Sequence, residues 1–410
     1  MKITAIVRSF AIRSAALLAI TAGTALVAQN RILVPAQFAQ IGAAVQAATP
    51  GTVIEVTWQA QHYPPFVVDR EVTIVGHAGE QMAPMVAVPP GGVGIDVQLA
   101  PGERAVISRI DVMPATGAML TTGARVTGGV VSFEDCRIRG GLDPSAAAGL
   151  AAVQVTDAEL RVAFCRFEGN GGTAGLRASR SHVSTTKSRF FGGTVPAGKG
   201  ALFDDSTLHA TGAWFLGGED FVNGPGATAL WLQGNSRAWL VDSTASGGMG
   251  IPGGIGLVNN GTAPVEHLGC GFAGGRDLSS NTLVAATSGP MTPNAALLAL
   301  YWSEPPYRRG TLQPGQPWSV SVVGQPNSFA MLALALRSGA ALAAWTRQPA
   351  LPVQDIAVAI PLITAANGWA TYYSNVPAVP ALIGTGLWAQ AVSGPSLPLE
   401  ATPVSGVFVR

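Results

Sequence analysis

Charged residues are scarce in this chain of 410 residues: Asp, Glu, Lys and Arg make up 11% of it, whereas 48% is hydrophobic. The 24 basic and 23 acidic residues nearly balance, so the sequence predicts no general attraction to nucleic acid. Any function that depends on charge must therefore belong to a local patch. Beyond the first thirty residues there is no run of eighteen apolar residues, so no membrane-spanning helix is expected there.

The common catalytic motifs are also missing. The sequence contains no GxSxG, HExxH, GxxxxGK[ST], CxxC or EF-hand pattern, which removes the usual signatures of acyl transfer and of zinc, phosphate or calcium binding. The five histidines show no shared spacing, and an odd count of three cysteines cannot pair completely within one chain. The sequence therefore does not identify a reaction, and we expect no cofactor on these grounds.

The first thirty residues have the pattern of a secretory signal peptide. Lys2, Arg8 and Arg13 precede an apolar run from Ala15 to Ala28 that ends in small residues. We expect cleavage between residues 25 and 30. An uncleaved anchor is the alternative, but the run is shorter than the ~20 residues that span a bilayer. The mature protein is expected to be secreted, extracellular or at the cell surface.

A short apolar motif recurs between residues 107 and 272 and organises the chain. Its copies read ISRIDV, FEDCRI, VAFCRF, TTKSRF, ATGAWF, LVDSTA and HLGCGF. The last residue of each copy serves as an anchor, and the anchors are Val112, Ile138, Phe167, Phe190, Phe215, Ala245 and Phe272. A nearly constant period of about 27 residues is typical of a solenoid, whereas a propeller blade needs about forty. Each coil has room for two or three short strands.

Two further patterns support parallel strands that stack coil on coil. A small residue followed by Leu or Ile precedes each anchor, as in TAGLRAS and GGIGLVN, and marks a second strand in every coil. Alternate residues of a strand face inward, so Phe167, Phe190 and Phe215 are expected to form an internal aromatic ladder. The position two before the anchor holds Cys136, Cys165 and Cys270, and two other coils have serine there, Ser188 and Ser243. We interpret these cysteines as small buried side chains rather than as disulfide partners.

Residues 40–76 carry a resemblance to a known family. An amphipathic helical pattern ends at Pro50-Gly51, and the strand-like segments TVIEV, PFVV and VTIVG follow. This stretch resembles the first coil of right-handed parallel β-helix proteins of the pectate-lyase-like group, in which a short helix caps the solenoid. The resemblance covers about residues 34–285. It implies a right-handed parallel β-helix over residues 31–289, of a secreted bacterial type, with a capping helix at 38–48.

The period stops near residue 290, and proline-rich segments begin. Alternating segments such as WSVSVVG, FAMLALALRS, ALAAWTRQ and GLWAQAV follow, separated by Gly, Pro and Asn turns. They predict a small antiparallel β-sandwich over residues 290–410. This part contains five of the nine tryptophans; they are interpreted as core, with sugar binding by exposed rings as the alternative. The whole chain is thus predicted to be all-β.

The resemblance implies one possible chemistry. A lyase of this group abstracts a proton beside a uronate carboxylate with an Arg or Lys base, while acidic residues hold Ca²⁺. In this sequence Glu219 and Asp220 could meet Asp204 or Asp205 one coil earlier, but ordinary solvated loop residues explain them as well. Ca²⁺ is therefore expected only under a lyase alternative.

The position directly before the anchor is the best candidate site. It holds Arg137, Arg166, Arg189 and Trp214 in successive coils, and it faces outward if the anchors face inward. We predict a secreted or cell-surface protein that binds an acidic polysaccharide or another extracellular polymer through this column. The alternatives are a polysaccharide lyase or glycoside hydrolase, or arginines that only pair with acidic neighbours such as Glu134, Asp135 or Glu168.

Overall fold

The computed structural model describes most of the chain beyond residue 29. The described residues are 30–77, 82–143, 150–194, 197–222, 224–302, 311–312, 314–335, 356–376, 378, 386–394, 399–402 and 404–409. The predicted signal peptide and the segment ALAAWTRQ lie outside the described residues.

Three parallel sheets wind around one apolar core and form a parallel β-helix. Sheet A has eleven strands: β1 (Arg31–Val34), β2 (Thr52–Val56), β4 (Val72–Gly76), β7 (Arg104–Ser108), β10 (Val130–Glu134), β13 (Glu159–Ala163), β16 (His182–Thr186), β19 (Thr207–Thr211), β22 (Arg237–Val241), β25 (Val265–Leu268) and β28 (Met291–Pro293). Sheet B has eight: β5 (Met85–Val88), β8 (Asp111–Pro114), β11 (Arg137–Leu142), β14 (Arg166–Asn170), β17 (Arg189–Phe191), β20 (Trp214–Leu216), β23 (Thr244–Ser246) and β26 (Gly271–Ala273). Sheet C has nine: β3 (Phe66–Val68), β6 (Val93–Gln98), β9 (Thr122–Thr127), β12 (Ala151–Thr156), β15 (Ala174–Ser179), β18 (Ala201–Asp204), β21 (Leu230–Gly234), β24 (Leu257–Gly261) and β27 (Thr287–Ser288).

The recurring motif places its anchors in one column of sheet B. All seven anchors are register partners from one strand to the next, and six of them are fully buried. The predicted aromatic ladder is confirmed: the ring centroids of Phe167 and Phe190 are 5.5 Å apart, and those of Phe190 and Phe215 are 5.0 Å apart. The second motif forms sheet C, and the third strand of each coil forms sheet A. The handedness of the coils and the pectate-lyase-like type stay predictions.

A short helix lies at the N-terminal end of the solenoid. Helix α1 (Ile41–Ala47) buries Ile41, Ala44 and Val45 in the same core as the coils and contacts β1, β2 and β3. This agrees with the predicted capping helix, which protects an apolar end that would otherwise be open.

Sharp corners separate sheet A from sheet B. The residue at each corner has a positive φ. At four corners the next residue is Cys136, Cys165, Ser188 or Ser243, whose hydroxyl or thiol donates to the carbonyl two residues before it, and the last three also accept an N–H of the preceding coil. Cys165 and Ser188 are examples, since the Cys165 N–H donates to Ser188 Oγ at 3.1 Å. The three cysteines are free thiols, as interpreted from the sequence.

Glycines shape the corner between sheets B and C in the later coils. Here backbone hydrogen bonds of 2.7–3.1 Å form an unbroken series from Val284 back to Thr173, in which the N–H of each residue donates to the carbonyl of the next residue of the series. The residues between them are Gly193, Gly198, Gly218, Ala227, Gly248, Gly254 and Gly275. A Cβ on Gly218 would lie 1.8 Å from the carbonyl oxygen of Gly193, so a side chain does not fit there. We call this series the glycine seam.

The C-terminal part forms two small, mainly antiparallel sheets, here called the C-terminal module. One sheet contains β29 (Ala299–Trp302), β31 (Pro317–Val323) and β34 (Trp369–Asn375). The other contains β30 (Thr311–Leu312), β32 (Phe329–Ala335), β33 (Ile356–Ile363), β35 (Gly386–Ser393), β36 (Glu400–Ala401) and β37 (Ser405–Val409). Trp302, Trp318 and Trp388 are buried, as interpreted, whereas Trp369 is 45% exposed; Trp345 lies outside the described residues.

The module packs on the outer face of sheet A. Its apolar core includes Ala163 and Phe164 of the solenoid, and a second shared cluster joins Trp239 and Val241 to Leu297 and Ala299. The outer face of sheet B is not part of these clusters.

Candidate functional site

The predicted column of Arg137, Arg166, Arg189 and Trp214 exists on the outer face of sheet B. The four residues are register partners in the consecutive strands β11, β14, β17 and β20. Each lies next to a buried anchor and is itself partly or largely exposed, with 48% of Trp214 accessible. The structure therefore brings the sequence-predicted residues together on one surface.

The bend before these strands does not turn the arginines sideways. Phe164, Lys187 and Gly212 stand two positions before the column, and all three have a positive φ. They form the corner itself, and this explains why no common polarity is visible at that position in the sequence. The strand that follows restores the alternation of inward and outward side chains.

A second outward column runs beside the first, two residues further along each strand. It contains Arg139, Glu168, Phe191 and Leu216 in the same consecutive strands. None of these residues is a site residue predicted from the sequence, except that Glu168 was named as an acidic neighbour of the arginines. In the tripeptides RIR, RFE, RFF and WFL the first and third residues face the same side of the strand. The third residue of each is therefore readable from the sequence as outward-facing.

Glu168 lies at the centre of this surface and pairs with three arginines. Arg137 donates to its carboxylate at 3.1–3.2 Å, and Arg139 and Arg166 also bind it. Only 11% of the Glu168 side chain is exposed, against 32–45% for the three arginines. The expected pairing with Glu168 is thus confirmed, and one carboxylate balances one of the three positive charges.

Two arginines also stack on aromatic rings of the next coil. The guanidinium carbon of Arg166 lies 4.7 Å from the Phe191 centroid, and that of Arg189 lies 4.9 Å from the Trp214 centroid. Such contacts hold the long side chains flat against the sheet. Arg189 has no carboxylate partner in the described part of the chain, so its charge is available to a ligand.

Asp111 occupies the same column one coil before Arg137. It accepts a hydrogen bond from the Arg137 backbone N–H at 3.1 Å. Burial, and secondarily the negative charge of Asp135, raise the pKa of Asp111 to about 6. This carboxyl therefore contributes less negative charge to the surface than an ordinary aspartate does.

A pocket opens beside the arginines. It has a volume of about 730 Å³ and lies between the 113–119 segment and strands β11, β14 and β17. Arg139, Arg166 and Glu168 supply its charged lining, Phe191 its aromatic wall, and Met119 part of its apolar rim. This volume is within the range of small-molecule sites.

The acidic residues that were candidates for Ca²⁺ do not form a site. No group of three or more His, Cys, Asp or Glu residues in the described ranges could hold a metal ion. Asp220 is buried and accepts the N–H of Val222, while Asp205 accepts hydrogen bonds from Asn235. The described residues therefore do not fit the metal that the lyase alternative requires.

We compared the chain with protein families, curated proteins and solved structures. No family model matches it, and none of the curated proteins matches it. Among solved structures it is similar to ORF18 of Geobacillus virus E2, at 9% sequence identity and a TM-score of 0.28, over 92% of this chain and 76% of that one. A similarity at this level carries no argument. Within the described residues, no helix is both long and apolar enough to cross a membrane.

Proposed function

We propose that the protein binds an acidic polysaccharide, outside the cell or at its surface, through the outer face of sheet B. The observation that carries the proposal is the column of Arg137, Arg166, Arg189 and Trp214 on four consecutive strands. At about 4.8 Å per strand the column is roughly 14 Å long, which is comparable to a few sugar rings.

The chemistry of the column suits an anionic sugar polymer. Guanidinium groups form charge-assisted hydrogen bonds with carboxylate or sulfate groups, and an exposed indole offers an apolar face to a sugar ring. Glu168 and the aromatic rings hold the arginines in place before a ligand arrives. Less side-chain entropy is then lost on binding.

Binding fits the pocket better than hydrolysis. A glycoside hydrolase needs two carboxyl groups about 5–9.5 Å apart across the bond that breaks. The described lining of the pocket contains one carboxylate, Glu168, and it is engaged by arginines. The acidic cluster of a Ca²⁺-dependent lyase has no counterpart among the described residues. These observations support a binding protein over the enzyme alternatives.

The test is binding of the mature protein to polygalacturonate and to a sulfated glycan, compared with a neutral glucan. Changing Arg166 and Arg189 together to Ala should weaken binding to the acidic polymers at least tenfold, because each charge-assisted hydrogen bond contributes about 1.5–3 kcal/mol. Affinity of the unchanged protein should also fall as salt rises.

The matched control is Arg180→Ala. Arg180 is an exposed arginine paired with Asp157 at a different corner of the solenoid, so its loss should leave binding unchanged. Equal binding by the double variant, with an unchanged melting temperature, would place the binding surface elsewhere. A lowered melting temperature would instead assign the arginines to holding the sheet together.

A further inference from the structure

The outer face of sheet A is polar and yet covered. Ser132, Arg161, Ser184, His209 and Trp239 form one outward column in consecutive strands from β10 to β22. Each is at most 6% exposed. The C-terminal module covers this column: Arg161 lies 5.1 Å from the Trp388 ring centroid, β37 contacts β13 and β16, and Trp239 packs against Leu297 and Ala299.

Docking leaves several polar atoms of this column without hydrogen bonds. Ser132 Oγ, Arg161 Nη1, Trp239 Nε1 and both ring nitrogens of His209 are buried and have no hydrogen-bond partner within the described part of the chain. Buried polar groups in stable cores are almost always paired, and each unpaired group loses its hydrogen bonds to water when the surfaces meet. The contact between the module and sheet A is therefore weaker than its buried area suggests.

His209 is a buried histidine of this interface. It is 1% exposed, and burial together with the nearby His182 lowers its pKa well below the usual value. Burial, with a smaller contribution from Arg161, also lowers the pKa of His182, although Glu159 opposes this effect. Ser184 Oγ lies 3.3 Å from His182 Nε2, and His182 Nδ1 is buried without a hydrogen-bond partner among the described residues.

Several other ionisable groups of this face already have partners, and Arg237, in the same column as Glu159 and His182, is exposed. Glu159 binds Arg161, Glu134 binds Ser108, Glu266 binds Asn294, and Lys187 lies over the ring of Tyr301. On the module side, strands β29, β31, β32, β35 and β37 contain a single ionisable residue, Tyr301, which donates to Asp242. These strands therefore contain no carboxylate opposite the histidines that could pair with a protonated ring.

We propose that the C-terminal module docks reversibly on sheet A and that mild acid releases it, because the fully buried His209 can take up a proton only when the module has lifted off and the partly buried His182 takes one up more readily then. This inference does not depend on the proposed polysaccharide function. Releasing the module would expose a polar strip carrying arginine, histidine, serine and tryptophan side chains.

The direction of the pH effect follows from linkage. In the released state both histidines regain an ordinary pKa of about 6.5. Above that pH they are neutral in both states, and docking is unaffected. Below it, the released state binds protons more tightly than the docked state, so the docking constant falls, by up to tenfold per pH unit for His209 and by less for His182.

The test is small-angle X-ray scattering of the full mature chain between about pH 7.5 and about pH 5, with circular dichroism to monitor the fold. The radius of gyration should rise below about pH 6.5 while the β-sheet signal stays constant. His209→Gln should shift the rise to lower pH and reduce its steepness, and His182→Gln should do so to a smaller extent. His62→Gln, at an exposed position, is the control and should match the unchanged protein.

A constant radius over this range with an intact fold would overturn the proposal. The same holds if the His209→Gln and His182→Gln proteins both expand at the same pH as the unchanged chain, because carboxylates such as Asp242 would then be responsible. If His209→Gln alone failed to fold, His182→Gln and the titration of His209 in the unchanged protein by NMR would still decide the matter. A His209 pKa near 6.5 in the compact protein contradicts the inference.

Discussion

Single residues at the corners decide whether a coil can close. At the corner before sheet B, Phe164 and Lys187 adopt a positive φ, which is unfavourable for non-glycine residues. The residues that follow, Cys165 and Ser188, compensate by satisfying backbone groups of their own coil and of the coil before. Cysteine and serine are thus interchangeable here for a reason of size and hydrogen bonding.

Substitution of Ser188 separates these two properties. Ser188→Ala keeps the size but leaves the Cys165 N–H buried and unpaired, so the free energy of unfolding should fall by about 1–3 kcal/mol. Ser188→Cys introduces the side chain that the two preceding coils have at the equivalent position. It should lower the free energy of unfolding by less than about 1 kcal/mol. Urea denaturation of the three proteins measures both values. Equal stability of the alanine and cysteine variants would contradict the assigned hydrogen-bonding role.

The sequence predicted the small column but not its cause. A periodic Cys or Ser two places before the anchor is visible in the letters, whereas a positive φ at Phe164 or Lys187 is not, because neither residue type favours that conformation. The alignment and outward direction of the arginine column were predicted correctly, since alternation fixes the direction of neighbouring side chains, whereas its binding role stays a prediction. Its partner column was missed because Glu168 and Phe191 share no residue type.

Among the elements, the glycine-rich turns limit substitution more strictly than the strands do. Gly218 and Gly271 are both glycines without a positive φ, but a Cβ on Gly218 would meet backbone at 1.8 Å, whereas a Cβ on Gly271 has nothing closer than 3.8 Å. Gly218→Ala should therefore lower the free energy of unfolding by about 3 kcal/mol or more, because overpacking costs roughly 1–3 kcal/mol and this site leaves no room for the methyl group.

Gly271→Ala is the matched control and should change the free energy of unfolding by no more than about 0.5 kcal/mol. Thermal and urea denaturation of the two variants would compare them directly. A tolerated Gly218→Ala would mean that the turn can widen and that the hydrogen bonds of the seam are not continuous.

The strands of sheets B and C were easier to predict than those of sheet A. Sheets B and C have one apolar face, so their alternation is readable. On sheet A much of the outer face is also buried, and some of its buried residues are polar, such as Ser184 and His209. Its strands therefore show no simple alternation of apolar and polar residues. This face is covered by a part of the chain that is distant in sequence. A short window of sequence does not contain that information.

For the whole molecule, the docked module alters the expected behaviour of the isolated solenoid. A chain of residues 31–288 should keep its β structure, because the solenoid has its own continuous core. It should also self-associate, because Phe164, Trp239 and Val241 lose their cover. Sedimentation velocity and circular dichroism measure the two properties.

Replacing Trp239 with Ser and Val241 with Thr in the shortened chain should restore a monomer. A cooperative loss of β structure on truncation would instead show that the module is needed for the solenoid to fold. Self-association that persists in the double variant would point to the open edge of β26.

The glycine seam also has an electrostatic consequence. Every peptide in it donates toward the N-terminal end of the solenoid, so the peptide dipoles, about 3.5 D each, add along the axis as they do in a helix. The positive end of this series lies at Thr173, three residues from Asn170 in the wall of the arginine pocket. We expect this end of the seam to add to the positive potential of the arginines, at the place where the proposed anionic ligand would bind.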